Sequence, residues 1–199
     1  MSKERIAAIA RFGAEIVRVD GNYDDSVGEA SRVAVAGHFS VLLGESRPYF
    51  VVVDPSRAAC LFESARAGHV VKAPDGEPTV MAMLECYEPS LVAWRILSRV
   101  ADAFMTVEDE EAIAVMKRLA SPDNGDPAVV AGESGGVGLA GLIQVASNPQ
   151  LRQQIGLGRD ARVFLINTEG ATDPSKYEDL VGLSPLAVSA RNALTKGVA

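Results

Sequence analysis

A glycine-rich elbow at residues 132–138, with the sequence Gly-Glu-Ser-Gly-Gly-Val-Gly, constrains the fold of this chain more than any other feature. It lies between a short apolar run, Val129–Ala131, and a helix-like stretch from Leu139 to Ala146. In α/β proteins a strand, a glycine turn and a helix in this order bring backbone N–H groups to an anion. The elbow therefore predicts an α/β fold and indicates a ligand that carries a phosphate or a carboxylate.

The composition limits the class of protein. With 199 residues, 48% of them hydrophobic, the chain suits one α/β domain or slightly more, with a sizeable core. Its net charge of −7 and the lack of a long Lys/Arg run disfavour a nucleic-acid partner. No apolar run is long enough to span a membrane, and the amino terminus lacks the apolar core of a signal peptide. We therefore expect a cytoplasmic protein.

Neither the cysteines nor the histidines have a spacing typical of a metal site. Cys60 and Cys86 are far apart in sequence, and we expect both to be reduced, buried thiols. His38 and His69 have no partner at helical or loop metal spacing, so we expect surface or helix-end histidines. The sequence thus predicts no metal site.

Apolar runs and turn residues divide the rest of the chain into strands and helices. Tyr49–Val53 is predicted to be a central parallel strand, and Arg162–Asn167 to be the last strand. A proline at the first helical position predicts helix starts at Asp54-Pro55, Asn148-Pro149, Asp173-Pro174 and Ser184-Pro185. Further helices are predicted at Thr79–Leu84, at Ser90–Phe104, and up to Leu119 after a capping box of Thr106 with Asp109.

The amino-terminal part of the chain begins with the alternation of helix and strand that is typical of α/β proteins and then departs from this alternation. A helix at Ile6–Phe12 and a strand at Ala14–Val19 are predicted, as in a parallel α/β sheet. Residues 26–43 then have the pattern of one long helix, although a strand is expected between two such helices. The change of composition near Ala34 indicates a junction between two pieces of a fold.

Two features of the second half have competing interpretations. Gly136 to Gly141 matches G-x-G-x-x-G, but the acid expected after a second strand is missing, since Asp160 precedes its strand. Close packing of a helix on the sheet is therefore favoured over a dinucleotide site. Thr168 and Glu169 follow a predicted strand, where ligands of open sheets bind, but a helix-approach turn explains them equally well.

No lysine has a strongly apolar setting suited to a neutral amine, and Lys72 comes nearest.

Taken together, several segments resemble the diaminopropionate ammonia-lyase family, which has the tryptophan-synthase-β-like fold. The matching segments occur in the same order and cover nearly the whole chain up to about Ser184-Pro185. They are Arg5–Ile6 with Phe12–Ile16, Asp20–Val27, Phe50–Pro55 with Ala59–Phe62, Glu88–Ser90 with Trp94, Ala131–Gly135 and Phe164–Asp173.

The resemblance implies a three-layer parallel sheet with helices on both faces, a pyridoxal phosphate cofactor and a homodimer. It also implies α,β-elimination of a small amino acid, 2,3-diaminopropionate, to pyruvate and ammonia. In this family Glu133, Ser134 and Gly135 correspond to the glycine elbow near the cofactor ring. Thr168 corresponds to the hydroxyl residue that faces the pyridine nitrogen.

The chain also departs from the family. The Schiff-base lysine belongs to a region before the segment that begins here at Lys3, and the catalytic aspartate and the phosphate-gripping loop belong to a block absent near Ala34. We therefore expect an incomplete fold, with residues 1–34 a remnant of the small domain and residues 35–199 the end of the large cofactor-binding domain. Alone, the chain is expected to be inactive. The alternatives are a non-catalytic remnant or interaction module, and a dinucleotide-binding domain.

Overall fold

Three consecutive β-branched residues, Val51 to Val53, begin strand β1 (Val51–Pro55), since branched side chains favour extended backbone. The computed structural model describes residues 47–74, 76–123 and 125–195. The predicted helix at 6–12, the strand at 14–19, the long helix at 26–43 and the domain boundary after residue 34 lie outside these ranges. The compact unit treated below begins at Tyr49.

Strand β1 pairs in parallel with strand β2 (Ala103–Val107). Val51 lies opposite Ala103, and Val53 lies opposite Met105. The two strands make the sheet of the described part of the chain. Helix α1 (Cys60–Ala67) and helix α2 (Leu91–Val100) lie in the connection between them, as parallel pairing requires a long crossover.

Seven helices are present in the residues that the structure describes. Their order and bounds are α1 and α2 as above, α3 (Asp109–Ala120), α4 (Val137–Ser147), α5 (Pro149–Gln154), α6 (Pro174–Val181) and α7 (Pro185–Thr195). Two short 3₁₀ turns, Ser56–Ala58 and Ala82–Leu84, complete the list.

Helices cover both faces of the sheet. Since side chains alternate between faces along a strand, neighbouring strand residues contact different helices. On one face, a Cβ placed on Gly141 of α4 would lie 2.8 Å from Val53 Cγ2 and 3.2 Å from Met105 Sδ. On the other face, Phe104 packs against Trp94 of α2, with ring centroids 6.3 Å apart and ring planes tilted by 47°. The expected three-layer α/β arrangement is thus present, and the glycine of α4 permits its close approach, as the packing interpretation requires.

The apolar core has two clusters that meet along α3. The first contains Met81, Val107, Ala112, Val115 and Ala140. The second contains Met116, Ala120, Ala128, Tyr177 and Val188. Since α3 contributes to both, it joins the sheet and α4 to the carboxyl-terminal helices.

Helix α3 begins differently from its prediction. Its N-cap is Glu108, which forms a reciprocal capping box with Glu111, so the box predicted for Thr106 and Asp109 is wrong. Thr106 instead belongs to β2 and pairs with Asp54 of β1. Glu111 also accepts hydrogen bonds from Gln144 Nε2 at 2.7 and 2.9 Å, which fastens α3 to α4.

Other predicted elements change where tertiary pairing overrides local pattern. Ser90–Phe104 is not one helix, because α2 ends at Val100 and Ala103 begins β2. Thr79–Leu84 contains only the short 3₁₀ turn, and Pro55 ends β1 rather than starting a helix. Residues 162–167 have no strand assignment, and neither does the run at 129–131. The prolines at 149, 174 and 185 do stand at helix starts, as predicted.

Candidate functional site

The elbow of residues 132–138 is buried in its first five residues and leads directly into α4. A Cβ on Gly132 would overlap the carbonyl oxygen of Gly170, and a Cβ on Gly135 would overlap the side chain of Asn167. The backbone therefore needs glycine at both positions, because a second segment, residues 167–170, lies directly against it.

Glu169 fastens that second segment to the elbow. Its carbonyl oxygen accepts a hydrogen bond from Gly132 N at 3.0 Å, and its carboxylate Oε2 accepts one from Ser134 N at 3.2 Å. Its Oε1 accepts a further hydrogen bond from Thr172 Oγ1 at 3.0 Å. Asn167 adds a bond from its Nδ2 to the carbonyl oxygen of Val130 at 3.3 Å. The elbow and residues 167–172 therefore form one hydrogen-bonded unit.

The loop of residues 79–84 holds the elbow from another side. Met83 N donates to Ser134 Oγ at 3.2 Å. Lys176 Nζ lies 2.7 Å from Glu133 Oε1 and donates to the carbonyl oxygen of Val80 at 3.0 Å. The Glu133 side chain is only 11% exposed, so this ammonium neutralises a nearly buried carboxylate.

Lys176 reaches the elbow because α6 starts at Pro174, which places this lysine in the first turn of the helix. Asp173 caps this helix, and its Oδ1 accepts from Ser175 N and Lys176 N at 3.1 Å each. Pro174 occupies the first turn, where its fixed φ suits the helix. The helix start predicted at Asp173-Pro174 is therefore present, and the lysine follows in the first turn.

The polar contacts continue beyond the elbow to the ends of the two strands. Asp109, which follows β2, accepts hydrogen bonds from Thr79 Oγ1 and, at 3.1 Å, from Val80 N. Its Oδ2 lies 3.3 Å from an Arg57 guanidinium nitrogen, and Arg57 follows β1. The carboxyl edge of the sheet is thus joined to the elbow through the 79–84 loop, and this edge is where parallel sheets bind ligands.

Of the residues predicted for the site, the structure brings Glu133, Ser134 and Gly135 together in the buried elbow. Thr168 is exposed and stands between Asn167 and Glu169, which both contact the elbow. Lys176 was missed by sequence reasoning. The capped helix start at Asp173-Pro174 locates it in a first helical turn, but no local pattern names its partner 43 residues away. Lys72, whose sequence setting came nearest to one suited to a neutral amine, is exposed.

The two cysteines differ in environment. Cys60 is buried as expected, whereas Cys86 is exposed, so the prediction of two buried thiols is wrong for Cys86. Burial, reinforced by the nearby Cys86 and Asp54, raises the pKa of the Cys60 thiol to about 12. Burial also raises the pKa of Asp54, although hydrogen bonds from the backbone N–H groups of Phe62 and Leu61 oppose this rise. Within the described ranges no cluster of His, Cys, Asp and Glu suited to a metal ion is present.

A separate surface groove of ≈ 510 Å³ lies between α3 and α4. Its lining includes Val115, Lys117, Arg118, Ala140 and Ile143, and none of the predicted site residues lines it. The elbow is therefore the candidate site because of its chemistry and its place at the sheet edge, and the groove is a distinct feature.

A parallel α/β sheet with helices on both faces and a glycine elbow at its carboxyl edge defines the class of ligand-binding α/β enzyme domains. Within that class, the profile of the family described as pyridoxal-phosphate dependent enzyme matches residues 33–169. The chain belongs to the pyridoxal-phosphate dependent enzyme family. In the part that the structure describes, no helix is both long and apolar enough to cross a membrane.

Known relatives agree with this family. A diaminopropionate ammonia-lyase of Escherichia coli K12 is 35% identical over 150 residues, which cover 74% of this chain and 38% of the relative. The crystal structure of the Escherichia coli enzyme with an aminoacrylate-PLP azomethine reaction intermediate superposes with a TM-score of 0.63 at 32% identity, covering 89% of this chain and 45% of that one. Maize serine racemase, at 21% identity and a TM-score of 0.57, covering 76% of this chain and 42% of its own, shares the fold. The chain thus spans well under half of the curated relative.

The elbow residues fit part of a pyridoxal phosphate molecule, which is an anionic aromatic ligand. Ser134 Oγ accepts from Met83 N, and its own O–H remains to donate. Helix α4 has no side-chain cap, and first-turn N–H groups of a helix are common donors to anions, although the N–H of Leu139 already donates to the carbonyl oxygen of Gly136 at 2.9 Å. Glu133, the carboxylate within the elbow, is nearly buried, and Lys176 neutralises its charge.

Proposed function

We propose that this chain contains the C-terminal part of the cofactor-binding domain of a pyridoxal-phosphate-dependent ammonia-lyase that acts on 2,3-diaminopropionate. The observation that carries the proposal is the junction of the elbow with residues 167–170 at the carboxyl edge of a parallel sheet. Most of this junction lies inside the region that the family profile covers. Identity of 35% to a diaminopropionate ammonia-lyase supports the substrate.

In this proposal the chain's own residues bind and orient the cofactor. Ser134 donates a hydrogen bond from its hydroxyl group to the cofactor, and Thr168 presents an exposed hydroxyl group to the pyridine nitrogen. Gly135, which has no side chain, leaves space beside the ring. Glu133 holds the shape of the wall through its bond to Lys176. Pyridoxal phosphate, when bound, withdraws electrons from the α-carbon of an amino acid, so that an α-proton and a β-substituent can leave.

We infer that the chain alone binds the cofactor weakly and releases no pyruvate. The family resemblance assigns the cofactor-bearing lysine and the phosphate loop to segments without a counterpart in this sequence. A homodimer in the cytoplasm belongs to the same proposal, since both follow from the family resemblance and from composition.

Isothermal titration with deoxypyridoxine phosphate tests the cofactor site. This analogue lacks the aldehyde and cannot react with surface lysines, so any heat reports reversible binding. We expect saturable one-site binding that Ser134→Ala and Thr168→Val each weaken by about tenfold, because each removes one hydrogen bond. Ser98→Ala, an exposed position on α2, is the matched control and should bind like the wild type.

Two further measurements separate the alternatives. A coupled pyruvate assay with 2,3-diaminopropionate and pyridoxal phosphate should give no product, and sustained pyruvate release would contradict our inference that the chain is inactive alone. Absence of analogue binding would instead support a non-catalytic interaction module. NAD in the same titration should give no heat, because Gly141 serves the packing of α4 on Val53.

A further inference from the structure

Two carboxylates lie at the elbow, Glu133 within it and Glu169 in the adjoining segment, and Lys176 pairs with the first of them. Glu169 lies against Ser134 N and Thr172 Oγ1, and Glu133 lies against Lys176 Nζ. The Glu133 side chain is 11% exposed, so little solvent screens its charge. Without the lysine, both carboxylates would present negative charge to whatever binds beside Ser134.

Lys176 is held in place independently of Glu133. Asp173 caps the first turn of α6 through Lys176 N, and Lys176 Nζ makes a second hydrogen bond to the carbonyl oxygen of Val80. The ammonium is therefore pre-positioned between the 79–84 loop and the elbow, and it is not a freely moving surface group.

We propose that Lys176 is a positioning residue that cancels the charge of Glu133 and so lets an anionic cofactor lie against the elbow. This inference rests on the proposed function, since it concerns the same site. It differs from a merely structural role in one respect: cofactor affinity should follow the net charge of the Lys176–Glu133 pair, whereas stability should follow whether either charge is left unpaired.

Four variants separate charge from structure, and each is titrated with deoxypyridoxine phosphate under the same conditions. Lys176→Met leaves a net negative pair, and we expect affinity to fall by about tenfold or more. Glu133→Gln leaves a net positive pair, and affinity should equal or exceed that of the wild type. The double variant Lys176→Met/Glu133→Gln is neutral and should recover wild-type affinity, and Lys176→Arg should retain it.

Thermal unfolding of the same proteins provides the second readout. Both single variants should melt at lower temperature than the wild type, because each leaves one charge unpaired, and the double variant should recover. Lys117→Met removes the same charge from an exposed position on α3 and should change neither property.

The outcomes distinguish the inference from the function on which it rests. If Lys176→Met binds the analogue as tightly as the wild type, or if both single variants lose affinity in proportion to their loss of stability, the charge role of Lys176 is overturned and the cofactor site stands. If the wild type itself does not bind the analogue, the proposed function and this inference fall together.

Discussion

Gly135 and Asn167 lie so close together that a methyl group on Gly135 would overlap the side-chain oxygen of Asn167. The two residues belong to segments that are neighbours only in the folded chain. The contact explains why the elbow is rich in glycine: at Gly132 and Gly135, small size admits a second backbone segment. Gly138 of the same elbow has room for a side chain, and this difference can be measured.

Gly135→Ala should therefore destabilise the protein. We expect a loss of about 2–4 kcal/mol in the free energy of unfolding, because the Asn167 side chain and the Glu169 backbone would have to move. Urea unfolding followed by circular dichroism measures it. Gly138→Ala is the matched control: its Cβ would meet only Leu165 Cδ2 at 3.5 Å, an ordinary contact. This control should gain up to about 1 kcal/mol from helix propensity, and equal effects of the two variants would contradict the packing interpretation.

Tyr177→Phe should stabilise the protein or leave its stability unchanged. The Tyr177 side chain is 1% exposed, and among the described residues its hydroxyl finds no hydrogen-bond partner. Removing an unsatisfied buried hydroxyl removes a desolvation cost of about 1 kcal/mol or more. Tyr87→Phe is the control, because the Tyr87 hydroxyl donates to Glu85 Oε1 at 3.0 Å and its loss should cost stability. A clear loss of stability in Tyr177→Phe would show that this hydroxyl has a partner.

The two cysteines should differ sharply in alkylation. Cys60 is buried and its thiol pKa is raised to about 12, so at pH 8 only about one molecule in ten thousand carries the reactive thiolate. Cys86 is exposed and should react first with iodoacetamide under reducing conditions, as peptide mass spectrometry can show. Because the thiol of Cys60 is more stable than its thiolate in the folded state, its contribution to stability is full below the unfolded pKa and declines as pH rises toward 12. Faster labelling of Cys60 than of Cys86 in the native protein would contradict this assignment.

Asp54→Asn should be better tolerated than Asp54→Ala. The Oδ2 atom of Asp54 accepts from Leu61 N at 3.0 Å and Phe62 N at 2.9 Å, and so holds the start of α1 against β1. Burial raises the pKa of this carboxyl, so the folded state binds its proton more tightly than the unfolded state does. The stability that this carboxyl group contributes therefore decreases as pH rises above its pKa in the unfolded state. A neutral amide that keeps the acceptor oxygen should lower the free energy of unfolding by less than about 1 kcal/mol. Loss of the acceptor in Asp54→Ala should cost about 1–3 kcal/mol by urea unfolding. Equal losses would show that the negative charge itself is required.

Local patterns in the sequence were sufficient for several elements. The valine run predicted β1, the glycine elbow followed by small apolar residues predicted α4, and three prolines marked the starts of α5, α6 and α7. These signals are local because β-branching, a fixed φ and capping act within a few residues. The α/β class and the family resemblance followed from the order of such segments.

Tertiary structure decided what local pattern left ambiguous. Ala103 and Phe104 lie in a strand because β1 offers them a partner, although their own pattern continues the preceding helix. Residues 162–167 have strand composition but no strand assignment in the part of the chain that the structure describes, so composition alone did not decide the backbone of this segment.

The site divides in the same way. From the sequence, the family resemblance relates Glu133, Ser134, Gly135 and Thr168 to a cofactor site, and this assignment stays a prediction. Only the tertiary structure brought Lys176 to Glu133, since an ion pair between distant segments depends on where a helix begins in space, and no short-range periodicity encodes it. The pairing that sets the charge of the elbow is therefore a property of the folded chain.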